Sequence, residues 1–373
     1  MPSAGPARRF FRPTWAEVDL SLLRANLRLF KSRLSRRTKL LFVVKGNAYG
    51  HGAAACAKAA EGTRLADWLG VSSVEEGISL REAEVRLPIL VLGSLFPFES
   101  FLAAAEYGLT PTVASLESAK RLVEAAARLK RRVYCHLKIE TGMGRIGLTP
   151  EAAIGVARFL SAQKGVRVQG IYTHLSCAET DAAFTTRQLR RFQAALSEVA
   201  RVSGPVELRH AANSAAALRR PASRYDMVRP GLALYGLYPG FEPILSLKTK
   251  VVFIKIVPQG TPIGYGASFK TRRRSKIATV PLGYADGVSR GLSNKGYALL
   301  GGRRCPIVGR VTMDMLALDA TSAPQSRVGD DVVLIGRQGE DRITANEIAA
   351  ALGTIPYEIT TALSNRVPRV YLQ

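Results

Sequence analysis

Cysteine and histidine are scarce in this chain of 373 residues, and neither is arranged as metal ligands usually are. No Cys-x-x-Cys pair occurs, and no two histidines have the close spacing of a metal site on one helix. We therefore predict no metal and no disulfide framework, and the cysteine usage fits a reducing compartment. The cysteines are Cys56, Cys135, Cys177 and Cys305, and the histidines are His51, His136, His174 and His210.

Long hydrophobic runs are missing as well. No apolar run approaches the roughly 20 residues that span a bilayer, although 47% of the residues are hydrophobic. Residues 1–12 also lack the hydrophobic segment of a secretory signal. These absences predict a cytoplasmic protein with no membrane partner.

Acidic residues are few, with 29 Asp and Glu against 53 Lys and Arg, which gives a net charge of +24. Such a charge raises the possibility of nucleic-acid binding. The basic residues cluster at 33–39, 130–132 and 270–276, but no aromatic side chains that could stack on bases are interleaved with them. We therefore interpret them as a solvated basic surface and predict no nucleic-acid partner.

Short apolar runs alternate with amphipathic helical segments, among them 115–129, 150–163 and 185–202, over the first 236 residues. Eight strand–helix repeats predict a (β/α)8 barrel, in which the active site lies at the C-terminal ends of the strands. We place this TIM barrel at residues 14–239, after an N-terminal strand at 1–13 that joins a second domain. The apolar runs are 40–45, 68–73, 88–93, 110–115, 132–139, 166–174, 206–213 and 227–236.

A mainly β domain is predicted for residues 240–373, where long helical segments become rare and turn signals separate the apolar runs. One short helix is expected at residues 345–352. Thr344 is its candidate N-cap, and Glu347 is placed to complete a capping box.

Polar side chains end several of the barrel runs. Lys45 follows an apolar strand, Lys138 and His174 end two others, residues 210–214 follow a fourth, and Arg229 lies in the last run. Their convergence predicts an anionic ligand at the barrel mouth. At such a position the pKa of Lys45 falls and its amine can form a Schiff base, although a lysine after a strand often only extends to water.

Eight motifs together resemble those of alanine racemase, a pyridoxal-phosphate enzyme that combines a barrel with a β domain. The resemblance implies a homodimer that interconverts L-alanine and D-alanine, supplying D-alanine for peptidoglycan. The motifs are Val-Lys-Gly-Asn-Ala-Tyr-Gly-His-Gly (44–52), Glu-Thr-Gly-Met-Gly-Arg (140–145), Tyr-Thr-His (172–174), Ala-Asn-Ser (212–214), Val-Arg-Pro-Gly (228–231), Gly-Tyr-Gly (264–266), Gly-Tyr-Ala-Asp-Gly (283–287) and Gly-Arg-Val-Thr-Met-Asp (309–314).

The resemblance also implies roles for individual residues. Lys45 carries pyridoxal 5'-phosphate and is one catalytic base, while Tyr265 of the other subunit is the second base. Arg229 donates to the pyridine nitrogen, and His174 belongs to the cofactor-binding set. The phosphate is bound by Tyr49, Ser214, Tyr357 and the backbone amides of Gly231 and Leu232.

Four further positions complete the implied site. Arg145 contacts the phenolic oxygen of the cofactor and the substrate carboxylate, and Lys138 is carbamylated to N6-carboxylysine so that it pairs with Arg145. The Met313 backbone amide binds the substrate carboxylate. Tyr284 and Tyr357 narrow the entrance, which favours a methyl side chain.

Other functions remain open from the sequence. A related racemase acting on serine or on a broader set of amino acids would share the catalytic residues and differ at the entrance. A decarboxylase of the same fold type would have a glycine-rich phosphate segment and different C-terminal motifs. A non-enzymatic pyridoxal-phosphate carrier typically lacks the β domain.

Overall fold

A computed structural model of the chain describes residues 11–373, and these form two compact units. One unit comprises residues 23–48 and 52–241. The other comprises the residues up to Leu22, residues 49–51 and residues 242–373. The main division therefore lies between Phe241 and Glu242, whereas the sequence placed it between residues 239 and 240.

The first unit is built on eight parallel strands, of which the first seven pair in chain order, each with the next. They are β2 (Lys39–Val43), β3 (Trp68–Val71), β4 (Ile89–Val91), β5 (Thr110–Val113), β6 (Val133–Lys138), β7 (Val166–Tyr172), β8 (Leu208–His210) and β9 (Met227–Val228). Strand β9 returns to pair with β2. Backbone hydrogen bonds from Asp226 to Arg209 (3.0 Å) and from Arg229 to Ala212 (2.9 Å) bridge the remaining gap. The predicted eight-stranded barrel is confirmed.

Helices follow most of the barrel strands, and several of them begin where a polar side chain caps the first turn. Ser115, Thr149, Asp181 and Asn213 each accept a hydrogen bond from the backbone of the helix that they precede, which satisfies amides that have no partner within the helix. The helices are α1 (Leu20–Ser32), α2 (Ala53–Thr63), α3 (Val74–Glu82), α4 (Phe98–Glu106), α5 (Leu116–Leu129), α6 (Pro150–Ser161), α7 (Ala182–Ser203) and α8 (Ser214–Arg219).

The second unit is mainly β, as expected. Its strands are β1 (Thr14–Asp19), β10 (Leu245–Lys250), β11 (Phe253–Val257), β12 (Pro262–Ile263), β13 (Phe269–Lys270), β14 (Ser275–Val280), β15 (Tyr297–Leu300), β16 (Arg303–Val308), β17 (Leu316–Asp319), β18 (Asp331–Gln338), β19 (Asp341–Ile343) and β20 (Arg369–Leu372). The large sheet has the order β11-β14-β17-β16-β15-β18-β10-β1-β20, with β19 paired to β18, and β12 pairs separately with β13. Two short helices, α9 (Ala345–Leu352) and α10 (Pro356–Thr361), complete the unit.

The N-terminal strand differs from the prediction in its position. We expected it within residues 1–13, of which 1–10 lie outside the described residues, and we assigned residues from 14 onward to the barrel. The structure instead has the strand at Thr14–Asp19, antiparallel to β10 and parallel to β20. Its inward-facing residues alternate with half-buried ones, the pattern of a strand with one face on a core.

The predicted capping box at α9 is only half formed. The Thr344 hydroxyl accepts from the Glu347 amide at 3.1 Å, as expected. The Glu347 carboxylate does not return to the Thr344 backbone, because it forms an ion pair with Arg304 of β16. The local pattern is thus overridden by a charged partner distant in sequence.

Candidate active site

Lys45 is positioned by a left-handed turn directly after it. Residues Gly46 to Tyr49 have φ between 52° and 61°, a conformation that costs about 1–2 kcal/mol for each residue other than glycine. Hydrogen bonds offset this cost, since the Ala48 amide donates to the Val44 carbonyl at 2.8 Å and the Asn47 side chain accepts from the amide of residue 53 at 2.9 Å. The turn gives Lys45 a defined direction at the end of β2.

The amine of Lys45 lies among charged groups from several barrel elements. Partial burial lowers its pKa, the nearby Arg145 guanidinium lowers it further, and the Glu76 carboxylate opposes the change. A larger fraction of the amine is therefore neutral than for a lysine in water, as reaction with an aldehyde requires.

Lys138 ends β6 and is 4% exposed. Burial, followed by the charges of Arg145 and Arg229, lowers its pKa to about 8. Its Nζ lies 5.5 Å from the centre of the Tyr172 ring. Among residues 11–373 no carboxylate lies within 4.0 Å of this amine, so the described chain supplies no direct ion pair for it.

Arg229 heads a buried chain of hydrogen bonds. Its guanidinium donates to His210 Nδ1 at 2.9 Å and to the Thr173 carbonyl at 2.8 Å, and it lies 3.4 Å from His174 Nδ1. His210 Nε2 in turn lies 2.9 Å from His136 Nδ1. Burial lowers the pKa of Arg229 only to about 10, so the guanidinium is charged at neutral pH.

The buried environment around Arg229 determines the protonation of the three histidines near it. Burial, reinforced by Arg229, lowers the pKa of His136 and of His174 to about 3 and that of His210 well below its ordinary value. All three are therefore neutral at pH 7. Because Arg229 donates to His210 Nδ1, the His210 proton lies on Nε2 and is donated to His136 Nδ1.

Tyr172 lies beside two cations of the barrel mouth, Lys138 and Arg229. Its ring stacks on His210 at 4.8 Å and 5°, and the Arg229 Cζ lies 5.1 Å from the ring centre. The Tyr172 hydroxyl shares a hydrogen bond of 2.8 Å with Thr112. The aromatic face thus stabilises cations that would otherwise only repel one another.

Three of the predicted phosphate ligands lie together. The buried Ser214 hydroxyl accepts from the amides of Gly231 at 3.2 Å and Ala233 at 3.3 Å, and Leu232 lies between them in the chain. A hydroxyl and a set of convergent amides form a donor set suited to a phosphate group.

The loop that carries Arg145 is held by the carboxylate of Glu140. It accepts from the amides of Gly142 and Met143, both at 2.5 Å, and from Arg145 at 3.4 Å. Burial alone would raise the pKa of Glu140, but these bonds lower it. Glu140 is thus an anion at neutral pH that fixes the approach of Arg145.

The remaining predicted residues belong to the β unit. Tyr265 begins a short turn between β12 and β13 and is 71% exposed, while Met313 is 52% exposed. Met313 lies beside the Gly-Tyr-Ala-Asp-Gly motif, since its carbonyl accepts from the Ala285 amide at 3.0 Å. A Cβ on Gly283 would lie 2.3 Å from the Thr312 carbonyl oxygen, so only glycine permits this approach.

Tyr49 and Tyr357 also lie together, with ring centres 5.4 Å apart. Burial, then proximity to Tyr357, raises the pKa of Tyr49, which keeps the phenol protonated and able to donate. The neighbouring Gly50 has φ of +85°, and a Cβ there would lie 1.9 Å from the Thr360 carbonyl oxygen. Close packing of this segment on α10 therefore requires glycine.

Comparison with known proteins decides between the families that such a site would suit. The profile of the alanine racemase N-terminal domain matches residues 18–239, and that of the C-terminal domain matches residues 244–371. The chain belongs to the alanine racemase family. It is 47% identical over 369 residues to an alanine racemase of Symbiobacterium thermophilum, with 96% of this chain and 97% of that protein covered.

Solved alanine racemase structures have the same fold. That of Clostridium difficile has a TM-score of 0.91 at 37% identity and covers 98% of this chain and 97% of its own. That of Bacillus anthracis with bound L-Ala-P has a TM-score of 0.92 at 37% identity, covering 98% and 96%. The predicted family, fold and enzyme class, an isomerase of the alanine racemase type, are confirmed.

Two further comparisons concern the sequence expectations on membranes and metals. Within residues 11–373 no helix has the length and apolarity needed to cross a bilayer. The same residues contain no group of three or more His, Cys, Asp or Glu side chains arranged to hold a metal ion.

Sequence reasoning assigned no site role to four residues that organise this alanine racemase fold. Glu140 and Tyr172 lie inside motifs and were detectable as polar or aromatic positions next to assigned ones. His136 precedes Lys138 by two residues on the same strand, so the strand periodicity placed both on one face. Glu76 lies on α3, outside every motif.

Proposed function

We propose that this protein interconverts L-alanine and D-alanine with pyridoxal 5'-phosphate, using Lys45 and the partner subunit's Tyr265 as its two bases. The observation that carries the proposal is the placement of Lys45. A lysine with a lowered pKa is held by a left-handed turn at the mouth of the barrel that also holds Arg229, Ser214 and Arg145. The inferred role is D-alanine supply for peptidoglycan in the cytoplasm.

The donor set of the barrel fits this cofactor. Ser214 and the amides of Gly231 and Leu232 would bind its phosphate, together with the phenols of Tyr49 and Tyr357. Lys45 would hold its aldehyde carbon, and Arg229 would face its ring nitrogen, with His174 beside that guanidinium. When bound, the cofactor delocalises the electron pair left at the substrate Cα after proton removal.

Arg229 would leave the ring nitrogen unprotonated. Its guanidinium is a donor with a pKa of about 10, so it donates a hydrogen bond without transferring its proton at neutral pH. The neutral His210 and His136 behind it orient this donor and add no second charge. Weaker withdrawal of electrons at the ring would favour return of the proton to Cα over side reactions.

Racemisation needs a proton holder on each face of the substrate Cα. Lys45 Nζ would take or return the proton on one face, and its lowered pKa favours the neutral form that accepts a proton. The Tyr265 hydroxyl would serve the other face from a second chain. The high exposure of Tyr265 and Met313 supports a role against a partner, in a homodimer with shared sites.

Arg145 would bind the substrate carboxylate, together with the Met313 amide of the partner. We propose that Lys138 is carbamylated to N6-carboxylysine, because its pKa of about 8 leaves neutral amine available to carbon dioxide near pH 7. Carbamylation would replace a cation beside Arg145 with an anion and remove the repulsion between them. Tyr284 and Tyr357 would limit the size of the substrate side chain.

Mixing two inactive variants tests the proposal. Lys45→Ala and Tyr265→Phe should each lack activity alone, whereas their hybrid dimer carries one intact site. Random exchange makes half of the dimers hybrid, so about a quarter of the wild-type activity should return. Wild-type rates in both directions for Tyr265→Phe alone would contradict the second base. Turnover of L-serine equal to that of L-alanine would instead favour a broader racemase.

A further inference from the structure

Glu76 on α3 connects two segments at the barrel mouth. One carboxylate oxygen accepts from the Gly46 amide at 2.7 Å, and the other accepts from the Ser72 amide at 2.6 Å. Gly46 is the first residue of the left-handed turn after Lys45, and Ser72 follows the end of β3. A single side chain therefore ties the lysine-bearing turn to the neighbouring strand.

The charge of Glu76 is as relevant as its geometry. The Lys45 amine interacts electrostatically with four ionisable groups. These are Arg145 on the loop after β6, Lys138 on β6, His174 after β7 and Glu76 on α3. Arg145 is a cation, Lys138 is a cation until it is carbamylated, and His174 is neutral. Glu76 is the anion that acts directly on the Lys45 amine, and its charge favours the protonated form.

From this arrangement we infer that Glu76 is a positioning residue for Lys45. Its two hydrogen bonds hold the turn that directs the amine, and its negative charge offsets the neighbouring arginine so that the amine can hold a proton as well as release it. A base that returns a proton to carbon must be protonated for part of the cycle, and without a carboxylate to offset Arg145 the Lys45 amine would be protonated less often. The inference rests on the proposed function, which makes Lys45 both the cofactor lysine and one of the two bases.

The test measures the Lys45 amine itself in the cofactor-free full-length chain. Competitive acylation across a pH series, followed by mass spectrometry of the Lys45 peptide, reports the fraction of neutral amine. Glu76→Gln should shift the Lys45 titration to lower pH and make the amine react roughly threefold to tenfold faster below the wild-type midpoint. Glu75→Gln is the matched control, because Glu75 is exposed on the same helix and its carboxylate is hydrogen-bonded to the Ser73 side chain.

A second variant separates charge from geometry and covers the case in which Glu76→Gln does not fold. Glu76→Asp keeps the charge and shortens the side chain, so Lys45 should titrate close to wild type while the Gly46 amide exchanges its hydrogen faster. A wild-type titration in folded Glu76→Gln, or an equal shift in Glu75→Gln, would overturn the inference, and so would unchanged Gly46 exchange in Glu76→Asp. An unchanged Schiff-base absorbance band in cofactor-loaded Lys45→Ala would instead overturn the proposed role of Lys45 as cofactor lysine and leave the Glu76 result standing.

Discussion

Carbamylation of Lys138 can be predicted from the fraction of its amine that is neutral. With a pKa of about 8, roughly a tenth of this amine is neutral at pH 7, against about 0.03% for an unperturbed lysine. Only the neutral amine attacks carbon dioxide, so Lys138 is enriched about 300-fold in the reactive form. The new N–C bond releases one proton and leaves an anion that Arg145 can pair with.

The assay is a carbon-13 spectrum of the full-length protein equilibrated with labelled bicarbonate near pH 8. A carbamate resonance should appear in the wild type and be missing from Lys138→Met, which keeps an unbranched side chain of similar size but has no amine. Lys130→Met is a suitable control, because Lys130 is exposed at the end of α5 and belongs to the same barrel. A wild-type spectrum without the resonance, or one that keeps it in Lys138→Met, would refute the reasoning.

Three other predictions concern stability and are checked by urea denaturation. His136, His174 and His210 have lowered pKa values in the folded protein, so below pH 6.5 the unfolded chain binds more protons than the folded one. The stability that these neutral histidines contribute is therefore present above pH 6.5 and is lost as the pH falls toward 3. The loss is up to about 1.4 kcal/mol per pH unit for each histidine. His136→Gln should make the fall shallower, and an unchanged slope would contradict this account. Gly283→Ala should lower the free energy of unfolding by more than about 2 kcal/mol, because the added Cβ meets two backbone carbonyls. Thr344→Ala should lower the free energy of unfolding by about 1 kcal/mol through loss of the α9 cap. An unchanged free energy of unfolding would show that the Glu347 ion pair, and not the cap, stabilises the first turn of α9.

The barrel was predictable because two sequence features indicate its strands, namely the short apolar runs and the polar residues that end several of them. Lys45, Lys138 and Arg229 could be placed at one rim by that rule alone. The roles proposed for these three residues came from the resemblance of the motifs to a known family, and no periodicity indicates them.

Other features depended on contacts between residues distant in sequence. Glu347 fits a local capping pattern, but Arg304 lies within reach only after β16 and α9 have packed. The left-handed turn after Lys45 contains a single glycine, so its three other residues give no signal of positive φ. Glu76 shows the same limit, because its partners are backbone amides, which carry no sequence signature.

Strand β1 has a consequence for how the chain is made. It lies between β10 and β20, and its residue Ala16 pairs with Arg369. The first described strand of the chain can therefore complete its pairing only after the last strand has been synthesised. On a ribosome the barrel can close while β1 still lacks both neighbours, and the large sheet is completed only after the C-terminus has emerged. A fragment that begins at residue 242 would lack β1, leaving β10 with an open edge and β20 without its neighbour. The β unit is therefore interrupted by the barrel rather than appended to it, and it cannot be transplanted as a contiguous piece.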